Sequence, residues 1–212
     1  MDSQERILRE EIIKVCRRLD SKDLIAGSDG NVSCRAGRDC ILITPGGVSK
    51  GFMEPEQIAR TSMRGNLLEG PIRPSSEIRM HLQVYRMRPD VMAVVHAHPV
   101  VATAFTLAGY PFDSKILPEV WMMLGKVPVA PYATPSTEEV PLSIEPYIME
   151  SRAILLKRHG AVTFGKSLVE ACMRMEKIEH FAKILFYASM IGGRKTPVAL
   201  TESEIAKLGL IL

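Results

Sequence analysis

Val94-Val95-His96-Ala97-His98-Pro99 joins an apolar run to two histidines one residue apart, and a proline ends the run. Side chains alternate faces along a β-strand, so positions 96 and 98 point the same way. Two imidazoles on one face at a strand end form a pair of candidate metal ligands. On spacing alone they could equally be polar residues that close a strand.

A catalytic zinc site takes three protein ligands and keeps one position open. The third candidate lies downstream. Ala153–Leu156 reads as a strand that ends in Lys157-Arg158-His159-Gly160, and Ala161–Phe164 returns from that turn. His159 therefore sits at a second strand end. His81 falls mid-helix one turn beyond Glu77, and His180 lies inside a long helix; both rank below His159 as ligands.

Outward from these strands, residues 4–20 carry Ile7, Leu8, Ile12, Val15, Cys16 and Leu19 at helical spacing. Gly27-Ser28-Asp29-Gly30-Asn31 and Thr44-Pro45-Gly46-Gly47-Val48-Ser49-Lys50-Gly51 are turns, with a hairpin of 32–35 and 40–44 between them. A short helix and a strand pair are expected in 53–70. Ser75-Ser76-Glu77 opens a helix to about Met87, with Ile78, Leu82 and Tyr85 inward. A small-residue helix covers 100–108. Residues 109–147, rich in proline, read as short strands and loops. Ser167 starts a helix to about 191, capped by a Ser167/Glu170 box, and Thr201 and Glu204 cap a last short helix. Helices and strands are interspersed without a linker or repeat. That predicts one domain over 1–212, with a mixed or antiparallel sheet under helices.

Glu77 and the serines before it suggest chemistry. Free N–H groups at a helix start attract anions, and serine hydroxyls add donors. The glycine turns could likewise form nests for a phosphate. Ser75 or Ser76 could also be an ordinary N-cap, and the glycines ordinary turn residues. Taken together, these features point to a phosphorylated ligand beside a metal.

The composition narrows the field. The 212 residues carry a net charge of only +3 and no long basic block, which argues against a nucleic-acid surface. No apolar run is long enough to span a bilayer, and no apolar segment follows the polar N-terminus. Cys16, Cys34, Cys40 and Cys172 lack CxxC spacing, as expected of reduced, packed thiols in a cytoplasmic protein.

Gly27-x-x-Gly30-Asn31-Val32-Ser33, Ile43-Thr44-Pro45-x-Gly47, Ser75-Ser76-Glu77, His96-x-His98 and His159-Gly160 occur in one order. The set resembles the class II aldolase/adducin family, most closely its L-fuculose-1-phosphate aldolase branch, over almost the whole chain. The resemblance implies an α/β/α three-layer domain with a central, largely antiparallel sheet. It also implies a homotetramer with active sites between subunits. It implies Zn2+ on His96, His98 and His159, with Mn2+ or Co2+ as other occupants. Glu77 would bind the metal in the resting site and act as acid/base. Gly30, Asn31, Thr44, Gly46, Gly47, Ser75 and Ser76 would hold the substrate phosphate. The implied reaction cleaves a 2-ketose 1-phosphate into dihydroxyacetone phosphate and an aldehyde.

The chain departs from that branch. Gly46 stands where a threonine hydroxyl is expected, and Lys50 could compensate. Two tyrosines on the aldehyde side have no counterpart. Instead there are Leu117-Pro118-Glu119-Val120-Trp121 and a C-terminus ending in Leu210-Ile211-Leu212. Apolar Trp121-Met122-Met123 could favour a deoxy or methylthio sugar, or could be core. Glu119 lies where related dehydratases of methylthioribulose 1-phosphate place an acid, so it is a second catalytic candidate. Epimerase, decarboxylase and adducin-like binding readings of the same fold are the remaining rivals.

Overall fold

The computed structural model describes residues 3–193 and 197–209. The ends of the expected unit of residues 1–212, and the C-terminal residues Leu210–Leu212 that lack a tyrosine, lie outside the described residues. Eight strands form one sheet: β1 (Asn31–Arg35), β2 (Cys40–Ile43), β3 (Ala59–Ser62), β4 (Leu67–Glu69), β5 (Ala93–Ala97), β6 (Val129–Ala130), β7 (Ala153–Leu156) and β8 (Gly160–Gly165). Their order is β4-β3-β2-β1-β5-β8-β7-β6. Every neighbouring pair is antiparallel except β6 with β7, so the sheet is mixed at one edge and otherwise antiparallel as expected.

The helices are α1 (Ser3–Ser21), α2 (Ile78–Met87), α3 (Val100–Ala108), α4 (Pro118–Leu124), α5 (Glu139–Ile148), α6 (Leu168–Ile191) and α7 (Glu202–Leu208). They cover both faces of the sheet, because its central strands are apolar on both sides. Ala153 and Leu155 of β7 join α1, α3, α4 and α6 in one core. Ile154 and Leu156 join α2 and α5 in the other. Such a strand has no face left for water, and helices are needed on each side.

Residues 109–147 differ most from the sequence reading. They hold α4, the short edge strand β6, α5 and one 3-10 turn at Ser114–Ile116. Prolines suggested breaks, but Pro118 sits in the first turn of α4, where its missing N–H costs nothing. Pro146 lies inside α5, yet Val140, Ile144 and Ile148 keep one apolar stripe against the core. The helix of 53–70 is a single 3-10 turn, Pro55–Gln57. At α6 the expected capping box is half formed. Ser167 Oγ accepts from Glu170 N, but the Glu170 carboxylate accepts from Lys166 N instead of closing on Ser167. The Thr201–Glu204 box is complete.

This framework fixes the site. β5 lies mid-sheet, between β1 and β8, and Asn31, His96 and Val162 sit side by side across three strands. Directly after β5, the N–H groups of Val101 and Ala102 in α3 are taken by Glu179 of α6, a cap supplied from a distant helix.

Candidate metal centre and active site

The three histidines meet at the ends of β5 and of the β7–β8 hairpin. Their ring centroids lie 4.7–5.1 Å apart, and one ligand atom from each falls within 4.8 Å of the others. His98 lies one residue past β5, and its backbone N–H donates to Leu24 O at 2.8 Å. That bond takes the chain off the sheet yet keeps the His98 ring beside His96.

Two glycines make the convergence possible. Gly160 follows His159, and a β-carbon on it would overlap the Ala97 carbonyl and stand 2.8 Å from His98 Cδ2. Gly30 has φ +68°, and a β-carbon on it would lie 2.9 Å from the His96 carbonyl.

The ligand atoms are oriented. His96 is fully buried and its Nδ1–H donates to Ala161 O at 2.9 Å, which leaves the Nε2 lone pair facing the cluster. His96 Nε2 lies 3.1 Å from His98 Nε2 and 3.0 Å from Glu77 Oε2. His159 Nε2 lies 3.4 Å from Glu77 Oε1. On the far side of the His98 ring, Nδ1 lies 3.4 Å from Asp29 Oδ2. Burial and the neighbouring His96 push His98 and His159 down to about 4, so both imidazoles are neutral at physiological pH. Burial alone would raise the Glu77 carboxyl; His96 and His159 outweigh it and hold Glu77 well below the usual carboxylate range.

This donor set fits a divalent cation. Three imidazoles and one carboxylate converge, and Glu77 Oε1 is buried with no hydrogen-bond donor of its own. A buried carboxylate oxygen without a donor is costly unless a cation faces it.

The expected phosphate cradle is only partly assembled. The turn at 44–47 is stitched to the serines: Ser75 N donates to Thr44 O and Gly46 N to Arg73 O, both at 3.1 Å. Those bonds occupy the Gly46 N–H and leave Gly47, at φ +70°, as the exposed residue of the turn. Thr44 is fully buried and its hydroxyl oxygen accepts from Val32 N. Ser75 Oγ accepts from Glu77 N at 3.3 Å, but α2 begins at Ile78 with Glu77 as its N-cap and no side-chain cap, so neither serine is the ordinary N-cap the sequence allowed. Ser76 is exposed, with its hydroxyl 2.7 Å from that of Ser136, a non-glycine residue at φ +65°.

One sequence expectation changes here. Lys50 does not reach out as a phosphate ligand. It is 1% exposed, and its ammonium donates to Ser28 O at 2.9 Å and Val48 O at 2.7 Å, so it ties the two glycine turns together. Glu119 is exposed on the first turn of α4, and no hydrogen bond or ion pair connects it to the histidines among the described residues. Met123 packs against the core, and Trp121 has Lys115 Nζ 5.5 Å over its ring. His180 is exposed on α6, away from the cluster. His81 is fully buried one turn along from Glu77 and stands outside the cluster of His96, His98 and His159.

The family model for the class II aldolase and adducin N-terminal domain matches residues 10–186. The chain belongs to this family. It is 37% identical to an L-fuculose phosphate aldolase of Methanococcus maripaludis over 177 residues, which span 82% of this chain and 93% of the relative. It is 34% identical to a 3-oxo-tetronate 4-phosphate decarboxylase of Escherichia coli K12 over 209 residues, 96% of each chain. The crystal structure of YgbL from Escherichia coli, a candidate aldolase/epimerase/decarboxylase, superposes with a TM-score of 0.87 at 33% identity, covering 97% of this chain and 99% of that one. An L-fuculose 1-phosphate aldolase structure gives 0.86 at 31% identity, with 100% and 97% covered.

Proposed function

We propose that this class II aldolase-family protein is a metal-dependent lyase that breaks a carbon–carbon bond beside the carbonyl of a phosphorylated substrate. The observation that carries this reading is the convergence of three imidazoles on the buried carboxylate of Glu77. His96, His98 and His159 would hold a divalent cation, Zn2+ by donor type, with Mn2+ or Co2+ as alternatives. Such a cation supplies Lewis-acid polarisation of the substrate carbonyl. Glu77 starts as the carboxylate, accepts a proton from the substrate hydroxyl beside the breaking bond, and returns it to the carbon left electron-rich. Asn31, Gly47, Ser75 and Ser76 would orient the phosphate, with Thr44, Gly30 and Gly46 shaping the turns that present them. The whole chain acts as one such unit, cytoplasmic, and as a homotetramer whose subunit borders complete the sites.

In the first reading the substrate is a 2-ketose 1-phosphate, cleaved to dihydroxyacetone phosphate and an aldehyde. A second reading is favoured by the decarboxylase relative, which aligns over 96% of this chain, and by the missing aldehyde-side tyrosines. A 3-oxo-tetronate 4-phosphate losing CO2 leaves the same electron-rich carbon, and a proton drawn from solvent onto that carbon gives dihydroxyacetone phosphate. Glu119, exposed on α4, would serve only a dehydratase variant of the site.

The test incubates zinc-loaded enzyme with L-fuculose 1-phosphate, 5-deoxypentulose 1-phosphates and 3-oxo-tetronate 4-phosphate, with coupled detection of dihydroxyacetone phosphate. Aldehyde release selects the first reading and CO2 release the second. A diketone formed without dihydroxyacetone phosphate would overturn both.

A further inference from the structure

A polar ladder runs through the interior between α2 and β1. Glu77, His81 and Tyr85 stand four residues apart at and beyond the start of α2, on one face of the helix. Asn31 and Ser33 stand two apart on the facing side of β1. Four helical residues advance about 6 Å and two strand residues about 6.6 Å, so the two rows mesh as rungs. The contacts alternate between rows. Asn31 Nδ2 lies 3.2 Å from Glu77 Oε2, and Asn31 Oδ1 is in contact with His81 Nε2. His81 Nδ1 lies 2.7 Å from Ser33 Oγ, and Ser33 Oγ lies 2.8 Å from the Tyr85 hydroxyl. His81, Ser33 and Tyr85 are essentially excluded from solvent.

Donor and acceptor rules set the direction of every rung. The Glu77 carboxylate only accepts, so Asn31 must turn its NH2 toward it, which leaves Oδ1 facing His81. His81 must then donate from Nε2. Burial, followed by repulsion from His96, pushes His81 down to about 3, so it is neutral and carries that one proton. Nδ1 is therefore an acceptor, Ser33 donates to it, and Tyr85 donates to Ser33. A His81 protonated on Nδ1 instead would leave Asn31 Oδ1 without a donor, and would press the amide to flip its oxygen against Glu77.

We propose that His81 is a positioning residue: by donating its Nε2 proton to Asn31 Oδ1 it fixes the Asn31 amide, and through that amide the Glu77 carboxylate. The inference rests on Glu77 being the proton-transfer group of the proposed reaction. It assigns a role to a histidine that touches neither the metal ligands nor the substrate.

The first measurement is 15N NMR of the zinc-loaded protein labelled at histidine. His81 is expected as the neutral Nε2–H tautomer; an Nδ1–H tautomer overturns the proposal whatever the reaction is. The second compares His81→Phe, His81→Gln and Glu77→Gln, all zinc-loaded, on the substrate that releases dihydroxyacetone phosphate. Gln can place a donor near the Nε2 position; Phe cannot. His81→Phe is expected to lower kcat ~10- to 100-fold, the usual scale for a lost supporting bond, with KM changed by less than about threefold. His81→Gln is expected to restore most of that loss. Wild-type kcat in His81→Phe, with Glu77→Gln inactive, overturns the proposal while leaving the Glu77 reading intact. Full activity in Glu77→Gln overturns the Glu77 reading, and the tautomer measurement then judges the orientation by itself. If His81→Phe does not fold, Ser33→Ala removes the donor to Nδ1 and tests the same chain; unchanged kcat in it counts against the proposal.

Discussion

Gly160 and Ala97 come together so closely that a β-carbon on Gly160 would overlap the Ala97 carbonyl. Through this contact the β7–β8 hairpin carries His159 against His96 and His98. Gly160→Ala must push the hairpin off β5. The expected outcome is a loss of about 1–3 kcal/mol in stability, the range for a side chain forced into a packed interior. Zinc content should fall with it. Urea unfolding and metal analysis of the purified variant check this; a variant with full zinc content would show that the hairpin can yield.

Glu77→Gln keeps the size and hydrogen-bonding shape of the side chain but removes the charge. We expect the fold and dihydroxyacetone phosphate binding to persist and turnover to fall by at least ~10². Circular dichroism and steady-state kinetics on the zinc-loaded variant test it. Undiminished turnover would reassign the proton transfer, with Glu119 the next group to replace.

Metal-free protein should lose stability as pH falls below about 6.5. His81, at about 3 when folded against an ordinary 6.5, binds its proton in the unfolded chain first. Its contribution is complete above 6.5 and drains away from there down to about pH 3. His98 and His159, at about 4, act in the same direction. Glu77 adds to the loss only below its ordinary 4.5. Each histidine contributes a slope of up to ~1.4 kcal/mol per pH unit between its two values. Urea midpoints at about pH 7, 5.5 and 4.5 should fall steadily, and less steeply in His81→Gln. A flat profile would show that these imidazoles are not buried neutral.

Lys50→Met leaves the carbonyls of Ser28 and Val48 without their shared donor. Each such buried acceptor costs ~1–3 kcal/mol when orphaned. Because the two turns are no longer tied, KM for the phosphorylated substrate should rise about tenfold, with kcat little changed. Kinetics across a substrate titration would show it. An unchanged KM would place both turns outside the phosphate site.

Much of the fold was legible because local rules and burial agree there. The hairpin read over 32–35 and 40–44, the strand read over 91–96 and found at Ala93–Ala97, the strand at 153–156, and the stripe Leu168, Ala171, Met175, Ile178, Ala182, Leu185 all follow period and turn chemistry. Residues 109–147 were not legible. Their prolines signal breaks locally, whereas α4 and α5 are held by the apolar faces they bury. Lys50 was misread for a related reason. A lysine beside a glycine turn looks like an anion ligand, and only the fold shows its ammonium turned inward onto two carbonyls.

By itself the sequence determined the family, the histidines at 96, 98 and 159, and the acid at 77, because residue type and order are enough to specify them. The tertiary structure alone decided how these groups are aimed. That Asn31 turns its NH2 to Glu77, and that His81 rather than a serine sets that turn, depends on a helix and a strand meeting with matched rise. No spacing within one segment encodes that match, since hydrogen-bond direction is settled by the partner across the interface.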